Sequence, residues 1–268
     1  MIVRGSRVLI TGATGGIGNA LADEFQARGA DLILTGRNRS ALEALAGRLG
    51  DAEVLVADLS SADEASRLAD QAGDVDVLIA NAGLEASQRL EHLSPDQIAD
   101  GLAVNLGSTM ILASSLARGM HSRGRGHLAI VSSIAAQVTG PGPIYTATKW
   151  AQRGLAITLA NDWNQTGVGV SIVYPSAVRD VGMIARGLRH LERQPPSWQV
   201  RTVTAQSVAR ATAEAVEQER FETIVADPMA KVAVRLAGGA PRLVSRLLNS
   251  LPAARAMRQA MIAGAKRD

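Results

Sequence analysis

Short apolar runs alternate along this chain with longer stretches whose apolar residues recur every three or four positions. The first run, Val8-Leu9-Ile10, passes through Thr11 into a glycine-rich turn, after which Ile17, Leu21 and Phe25 fall on one helical face. Asp31–Gly36 reads as a second strand, and Ser40 is placed to cap a helix over Ala41–Leu49 that stops before Gly50. A strand over Val54–Ala57, a helix over Ala62–Ala72 and a strand over Val75–Ala80 follow. Beyond them the pattern predicts a long helix from Ser94 to Met120, a strand over His127–Val131 and a helix over Ile144–Asn164. A strand over Val168–Tyr174, a helix over Ala205–Gln218 and a seventh strand over Thr223–Ala226 complete the series. Strands that alternate with helices and are apolar on both sides belong to a parallel sheet covered on both faces.

The turn Gly12-Ala13-Thr14-Gly15-Gly16-Ile17-Gly18 fixes the kind of α/β fold. A strand feeds a helix directly only where side chains are missing: Gly12 for the tight turn, Gly16 for close approach of an anion, Gly18 for close packing of helix on strand. The helix then presents free N–H groups and a positive dipole end to a pyrophosphate. The spacing fits both Thr-Gly-x-x-x-Gly-x-Gly and Thr-Gly-x-x-Gly-x-x-Gly, so the turn alone leaves two branches of one superfamily open. The expected fold is a single Rossmann-type, doubly wound parallel sheet of about seven strands with helices on both faces and a C-terminal helical extension. Gly12, Arg37, Asp58, Asn81, Ser133 and Pro175 all fall at the carboxyl ends of strands, where ligands sit in such sheets.

Composition narrows the reading further. The 268 residues suit one domain, and with 47% hydrophobic but only 3% aromatic residues the core must be built from Ala, Val, Leu and Ile. No cysteine is present, which excludes disulfides, thiolate chemistry and cysteine-ligated zinc. His92, His121, His127 and His190 have no ligand-like spacing, so no metal is expected. The first strand starts too early to leave room for a signal peptide, and no uncharged apolar run approaches the roughly 18 residues a bilayer span needs, so a cytoplasmic location is expected. The net charge of +3 is uneven: residues 229–268 carry +7 and residues 1–228 carry −4.

Tyr145-Thr146-Ala147-Thr148-Lys149 carries the candidate chemistry. Residues i and i+4 share a helical face, so the phenol and ammonium lie together. A fixed positive charge favours the phenolate and draws a tyrosine toward the working pH range. Arg37, Asn38 and Arg39 follow the second strand where an acidic residue would repel a 2′-phosphate, which favours NADP(H) with NAD(H) as the alternative. The alternative for Arg37 is stacking on adenine or facing solvent, and for Asp58 it is a helix cap.

Thr11–Gly18, Asn81-Ala82-Gly83, Asn105, Ser133, Tyr145, Lys149 and Pro175 together resemble the classical short-chain dehydrogenases/reductases over about residues 5–226. The resemblance implies Tyr145 as general acid/base, Lys149 lowering its pKa and holding the nicotinamide ribose, Ser133 polarising the substrate oxygen and Asn105 supporting a proton relay. It places Gly12, Thr14, Gly16, Ile17, Gly18, Arg37, Asn38, Asp58, Leu59, Asn81, Ala82, Gly83, Tyr145, Lys149, Pro175 and Val178 at the cofactor. A step of thirteen to the tyrosine selects Ser132, whereas the string Ser132-Ser133-Ile134-Ala135-Ala136 and the 28-position step from Asn105 select Ser133, which we take. Ser176 stands where the family has glycine, and Asp180 where it has a threonine near the carboxamide.

Substrate selection is expected in residues 84–94, 134–144 and 179–203, the last with Met183, Ile184, Leu188, Leu191 and Trp198 among Arg186, Arg189 and Arg193. The chain divides into a catalytic domain over 1–228 and a basic amphipathic extension over 229–268, broken at Gly238-Gly239, Pro241 and Pro252. Val232, Leu236, Leu243, Leu247, Leu248, Leu251 and Met257 would pack on the domain or another subunit. Contact with an anionic membrane surface is the less favoured reading, since no aromatic residue anchors the segment. No nucleic-acid motif is present. The expected function is NADP(H)-dependent interconversion of a carbonyl and an alcohol on a hydrophobic small molecule. A dimer or tetramer is expected by resemblance. A non-catalytic NADP-binding regulator, or a membrane-surface module, is the rival reading.

Overall fold

A computed structural model describes residues 1–50, 52–85, 88–140, 142–182, 185, 202–237 and 240–250. Seven parallel strands run β1 (Arg7–Thr11), β2 (Asp31–Gly36), β3 (Glu53–Val56), β4 (Val77–Ala80), β5 (Gly126–Val131), β6 (Val168–Pro175) and β7 (Glu222–Val225), in the spatial order β3-β2-β1-β4-β5-β6-β7. The order reverses between β1 and β4, paired Val8 to Val77 and Ile10 to Ile79, and that switch point opens the crevice where such sheets bind ligands.

Alternation along the strands sends successive residues to opposite layers. Val8, Ile10, Val77, Ile79, Ala129 and Val131 meet helices α1 (Gly16–Ala27) and α2 (Arg39–Leu49). Leu9, Leu78, Ala80, Leu128 and Ile130 meet α3 (Ala62–Ala72) and the long helices of the other face. The crossovers between parallel strands place helices on both layers, which is why these strands lack a polar side.

That second face departs from the single long helix expected over Ser94–Met120. Helix α4 (Pro95–Leu102) starts with a capping box, Ser94 accepting from Gln97 N while Gln97 accepts from Ser94 N. It runs into a π-turn over Ala103–Gly107 before α5 (Ser108–Arg123) resumes. Helix α6 (Pro143–Asp162) lies beside it. Helix α7 (Ala205–Glu217) covers the first face. The basic extension forms α8 (Pro228–Ala237) and α9 (Pro241–Ser250).

Other boundaries move by one or two residues. The cap of α2 is Asn38, whose Oδ1 accepts from Ala41 N at 3.0 Å, and the expected cap Ser40 instead donates its hydroxyl to Asn38 at 2.9 Å. His127 is buried in β5, within 2.8 Å of Ser171 Oγ, and burial lowers its pKa to about 4, so it stays neutral.

Thr11 bolts the switch point. Its hydroxyl accepts from Asn81 N and Ala82 N, both at 2.9 Å, and donates to Ile79 O at 3.3 Å. The group is buried and its hydrogen-bonding capacity is full. Replacing Thr11 with valine keeps the shape and orphans two N–H groups, so Thr11→Val is expected to lower stability by about 2–3 kcal/mol. A urea midpoint equal to that of the natural chain would remove this role.

Candidate active site

The glycine turn is built as close approach requires. Gly12 has φ +65°, and a Cβ on it would stand 2.9 Å from Ala82 Cα across the switch point. A Cβ on Gly18 would stand 2.1 Å from Gly12 O, so α1 reaches β1 only because position 18 has no side chain. Gly16 faces Val181, whose side chain would lie 2.1 Å from an added Cβ. The segment after β6 therefore rests directly on the turn.

The N-terminus of α1, like that of α6 at Gly142, has no side-chain cap. Asn38, Ser61, Ser94 and Thr204 cap α2, α3, α4 and α7 with side chains, whereas Gly15 offers α1 none. Among the described residues, the N–H groups of Gly16, Ile17 and Gly18 have no acceptor. An uncapped first turn beside the switch point fits the diphosphate of a dinucleotide.

Around the adenosine end, Thr14 Oγ1 stands 3.5 Å from the Cβ position of Gly36. Arg37 is exposed, with no ion pair within the described residues. Asp58 accepts from Ser60 N at 3.0 Å and Ser60 Oγ at 2.9 Å, and these bonds, more than Arg37 nearby, hold its carboxyl below the usual range. Ser61, not Asp58, caps α3. Leu59 is buried beside it. Asn38 spends its carbonyl on α2, and Asn81 gives its side-chain N–H groups to Thr11 O and Gly12 O at 2.9 and 3.3 Å. Asn81 therefore fastens β4 to β1 through its side chain. Ala82 and Gly83 lead from it to Asn105, whose Oδ1 lies 3.4 Å from the Cβ position of Gly83.

Tyr145, Lys149 and Ser133 come together at the carboxyl ends of β5 and β6. Ser133 caps the short turn Ile134–Ala136, accepting from Ala135 N at 3.1 Å, and its hydroxyl is near enough to the Tyr145 phenol to favour the phenolate. Ser132 lies beside it with a buried hydroxyl that has no partner among the described residues. Lys149 is 4% exposed and donates to Val131 O at 3.3 Å and Gln152 Oε1 at 3.1 Å. Its Nζ sits 5.6 Å from the Tyr145 ring centroid.

Asn105 occupies the π-turn. Its side chain accepts from Leu84 N at 2.6 Å and donates to Leu84 O at 3.1 Å and Thr148 Oγ1 at 3.3 Å. Its backbone carbonyl accepts from Gln152 Nε2 at 2.6 Å. A π-turn inserts one residue and re-aims the backbone groups around it, a device common at functional sites.

The electrostatics of the free site differ from the sequence expectation. Burial raises the Tyr145 pKa; the Ser133 bond works against this and the Glu85 charge adds to it. Lys149 faces the ring of Tyr145, and the desolvation of the phenol dominates. Burial also draws Lys149 itself from 10.5 down to about 8.

Sequence reasoning missed Gln152, Thr148 and Val181. An amide three residues after Lys149, on a helix stripe that continues to buried Ala156, was the available signal for Gln152. Pro175 closes β6, and Val178 is buried and bridged to Val203. Asp180 is committed to Ala205 N at 3.2 Å, at the start of α7. Met183, Ile184, Arg186, Leu188, Arg189, His190, Leu191, Arg193, Trp198, Leu251 and Met257 lie outside the described residues. Among the described residues no cluster of His, Asp or Glu is placed to hold a metal, and no helix is long and apolar enough to cross a membrane.

Comparison with known proteins bears on this arrangement. A family model described as short chain dehydrogenase matches residues 6–189. Gluconate 5-dehydrogenase of Gluconobacter oxydans is 32% identical over 180 residues, 64% of this chain and 70% of that protein. A metagenomic short-chain oxidoreductase solved with NADP superposes with TM-score 0.69 at 30% identity, covering 84% of this chain and 97% of that one. A short-chain dehydrogenase/reductase from Burkholderia phymatum, solved with NAD, gives TM-score 0.75 at 27% identity, covering 88% and 94%.

The buried ammonium carries a sign. Between about pH 8 and 10.5 the unfolded chain holds the Lys149 proton and the folded chain does not, so this group makes stability rise with pH across that window. Below it the full penalty, on the order of 3 kcal/mol, applies. Lys149→Met is therefore expected to be most stable relative to the natural chain at pH 7 and to lose that margin by pH 10. Urea midpoints at the two pH values check this, and a margin independent of pH would contradict it.

Proposed function

As a member of the short-chain dehydrogenase/reductase family, the chain is an oxidoreductase acting between CH–OH and C=O groups, and we propose that it uses NADP(H) on an apolar small molecule with Tyr145 as general acid and base. The observation that carries this reading is the meeting of the Tyr145 phenol with Ser133, above a buried Lys149, at the rim of the sheet.

A nicotinamide cofactor, when bound, supplies or accepts a hydride at the carbonyl carbon. The uncapped N–H groups of Gly16, Ile17 and Gly18, with Gly12 giving the turn, would hold its diphosphate. Arg37, with Thr14 and Asn38, would take the 2′-phosphate, for which a guanidinium is suited and from which no acidic side chain at Gly36 repels it. Asp58 and Leu59 would border the adenine, and Asn81, Ala82, Gly83, Pro175 and Val178 the remainder of the crevice.

Tyr145 gives its proton to the substrate oxygen in reduction and withdraws it in oxidation. Before substrate binds, Ser133 favours the phenolate of Tyr145; with substrate present its single hydroxyl proton would turn to the carbonyl oxygen and polarise it. Lys149, two of its N–H groups already engaged, keeps its third for the rim. Asn105 holds the loop at Leu84 against α6. Positioning and charge stabilisation of the developing alkoxide do the catalytic work.

The division at residue 228 is part of the same reading: α8 and α9 follow β7 as an extension outside the sheet. Val234 and Ala237 are buried on α8, which supports an extension packed on protein. Met110, Trp150 and Ile157 stand exposed on α5 and α6, where a second copy of the chain would cover them in a dimer or tetramer.

Tyr145→Phe is expected to cut turnover by about 100- to 10,000-fold while cofactor affinity, read by fluorescence, is kept. Undiminished turnover would refute the acid–base assignment. A folded, cofactor-binding natural chain inert toward a panel of ketones, aldehydes and alcohols would favour the regulatory reading. Arg37→Ala is expected to weaken NADPH by about 10- to 100-fold with little effect on NADH. Equal losses for the two would remove the phosphate role.

A further inference from the structure

Tyr145, Lys149, Gln152 and Ala156 form one stripe of α6 turned to the sheet, spaced by four, three and four residues. Gln152 is 1% exposed, and both ends of its amide are used. Oε1 accepts from Lys149 Nζ at 3.1 Å, and Nε2 donates to Asn105 O at 2.6 Å.

The orientation of this amide is forced. A backbone carbonyl only accepts and an ammonium only donates. Turning the amide over would set its NH₂ against the ammonium and its oxygen against the carbonyl, two repulsions in place of two bonds. The Asn105 carbonyl thus decides that an oxygen faces Lys149. The π-turn over Ala103–Gly107 carries that carbonyl, while the Asn105 side chain clasps Leu84 and Thr148.

Lys149 needs such a partner because, among the described residues, no opposite charge offsets its own. From β5 it receives only the Val131 carbonyl, from the π-turn only neutral Asn105, and from its own helix the Tyr145 ring. Glu85, in the loop after β4, acts on Tyr145, and among the described residues no charged side chain acts on Lys149. An ammonium buried without a carboxylate depends on neutral acceptors to remain charged.

We propose that Gln152 is a positioning residue for the proposed reaction: its amide, pinned by the Asn105 carbonyl, keeps Lys149 an ammonium and points its remaining N–H at the rim beside Tyr145. An amide neither takes nor releases protons near neutral pH. The back of Lys149 is thereby closed to proton exchange along this contact, and its charge answers to what enters from the rim. The role in catalysis rests on the reading of Tyr145 and Lys149 given above; the hold on Lys149 does not.

The experiment uses the full chain without cofactor. Its lysines are Lys149, Lys231 and Lys266, so ¹³Cε-lysine NMR gives three titrating signals, and the buried one is assigned by its loss in Lys149→Arg. In the natural chain that signal is expected to titrate near pH 8. Gln152→Met removes the acceptor and is expected to lower the midpoint by about one unit or more, while Gln152→Glu keeps the shape, adds a charge and raises it. The alkaline limb of kcat/KM for carbonyl reduction is expected to move with the midpoint, where a purely structural role would lower the amplitude and leave the limb in place. An unmoved midpoint in folded Gln152→Glu overturns the proposal even if Gln152→Met fails to fold. A midpoint that moves while the limb stays fixed leaves the hold on Lys149 standing and overturns its part in the reaction.

Discussion

The approach of α1 to β1 is the constraint on which the rest of the molecule depends. An added methyl at Gly18 would stand 2.1 Å from Gly12 O, so helix and strand touch backbone to backbone. That contact brings an uncapped helix terminus to the switch point, where β1 and β4 part. Thr11 and Asn81 then lock the two strand ends together with side chains rather than ladder bonds. Small residues at the crossing and short polar ones at its rim serve one purpose: a crevice whose walls are main chain, open to an anion and held rigidly.

The catalytic rim is assembled at a cost. Lys149 is buried with no carboxylate acting on it among the described residues, and burial also disfavours the phenolate of Tyr145. Burial disfavours the charged form of each group, and the ammonium, which stays charged below pH 8, lowers stability there. Neutral groups carry the arrangement: the Val131 carbonyl, the Gln152 amide and the Asn105 carbonyl behind it. Carboxylates would hold the ammonium more firmly. They would also tie it to the protein rather than leave it available to what binds at the rim.

Much of this was legible in the sequence because the fold is written in local patterns. β2 and α3 were read to the residue, since Gly36, Ser61 and Gly73 punctuate them sharply. The family likewise followed from motifs at strand ends. What escaped depended on contacts between distant segments. Asn38 rather than Ser40 caps α2, a choice between two competent residues that backbone direction decides. Asn81 spends its side chain across the switch point, which no periodicity reveals. Gln152 looked like an ordinary helix residue because its partners lie at positions 105 and 149. The raised pKa of Tyr145 was not legible because spacing places an ammonium near a phenol without saying how deeply the phenol is buried.

The π-turn at Ala103–Gly107 has a consequence for which changes of length the fold tolerates. One surplus residue there lets Asn105 face two ways, its side chain toward Leu84 and its carbonyl toward Gln152. Deleting a residue from this turn would restore an unbroken helix and rotate α5 by roughly 100° against α4. Leu112, Leu116 and Met120 would leave the core while the site lost its central clasp. Indels at this point therefore damage core and site in one step. Lineages descended from this chain should vary in length almost anywhere on the surface before they vary here.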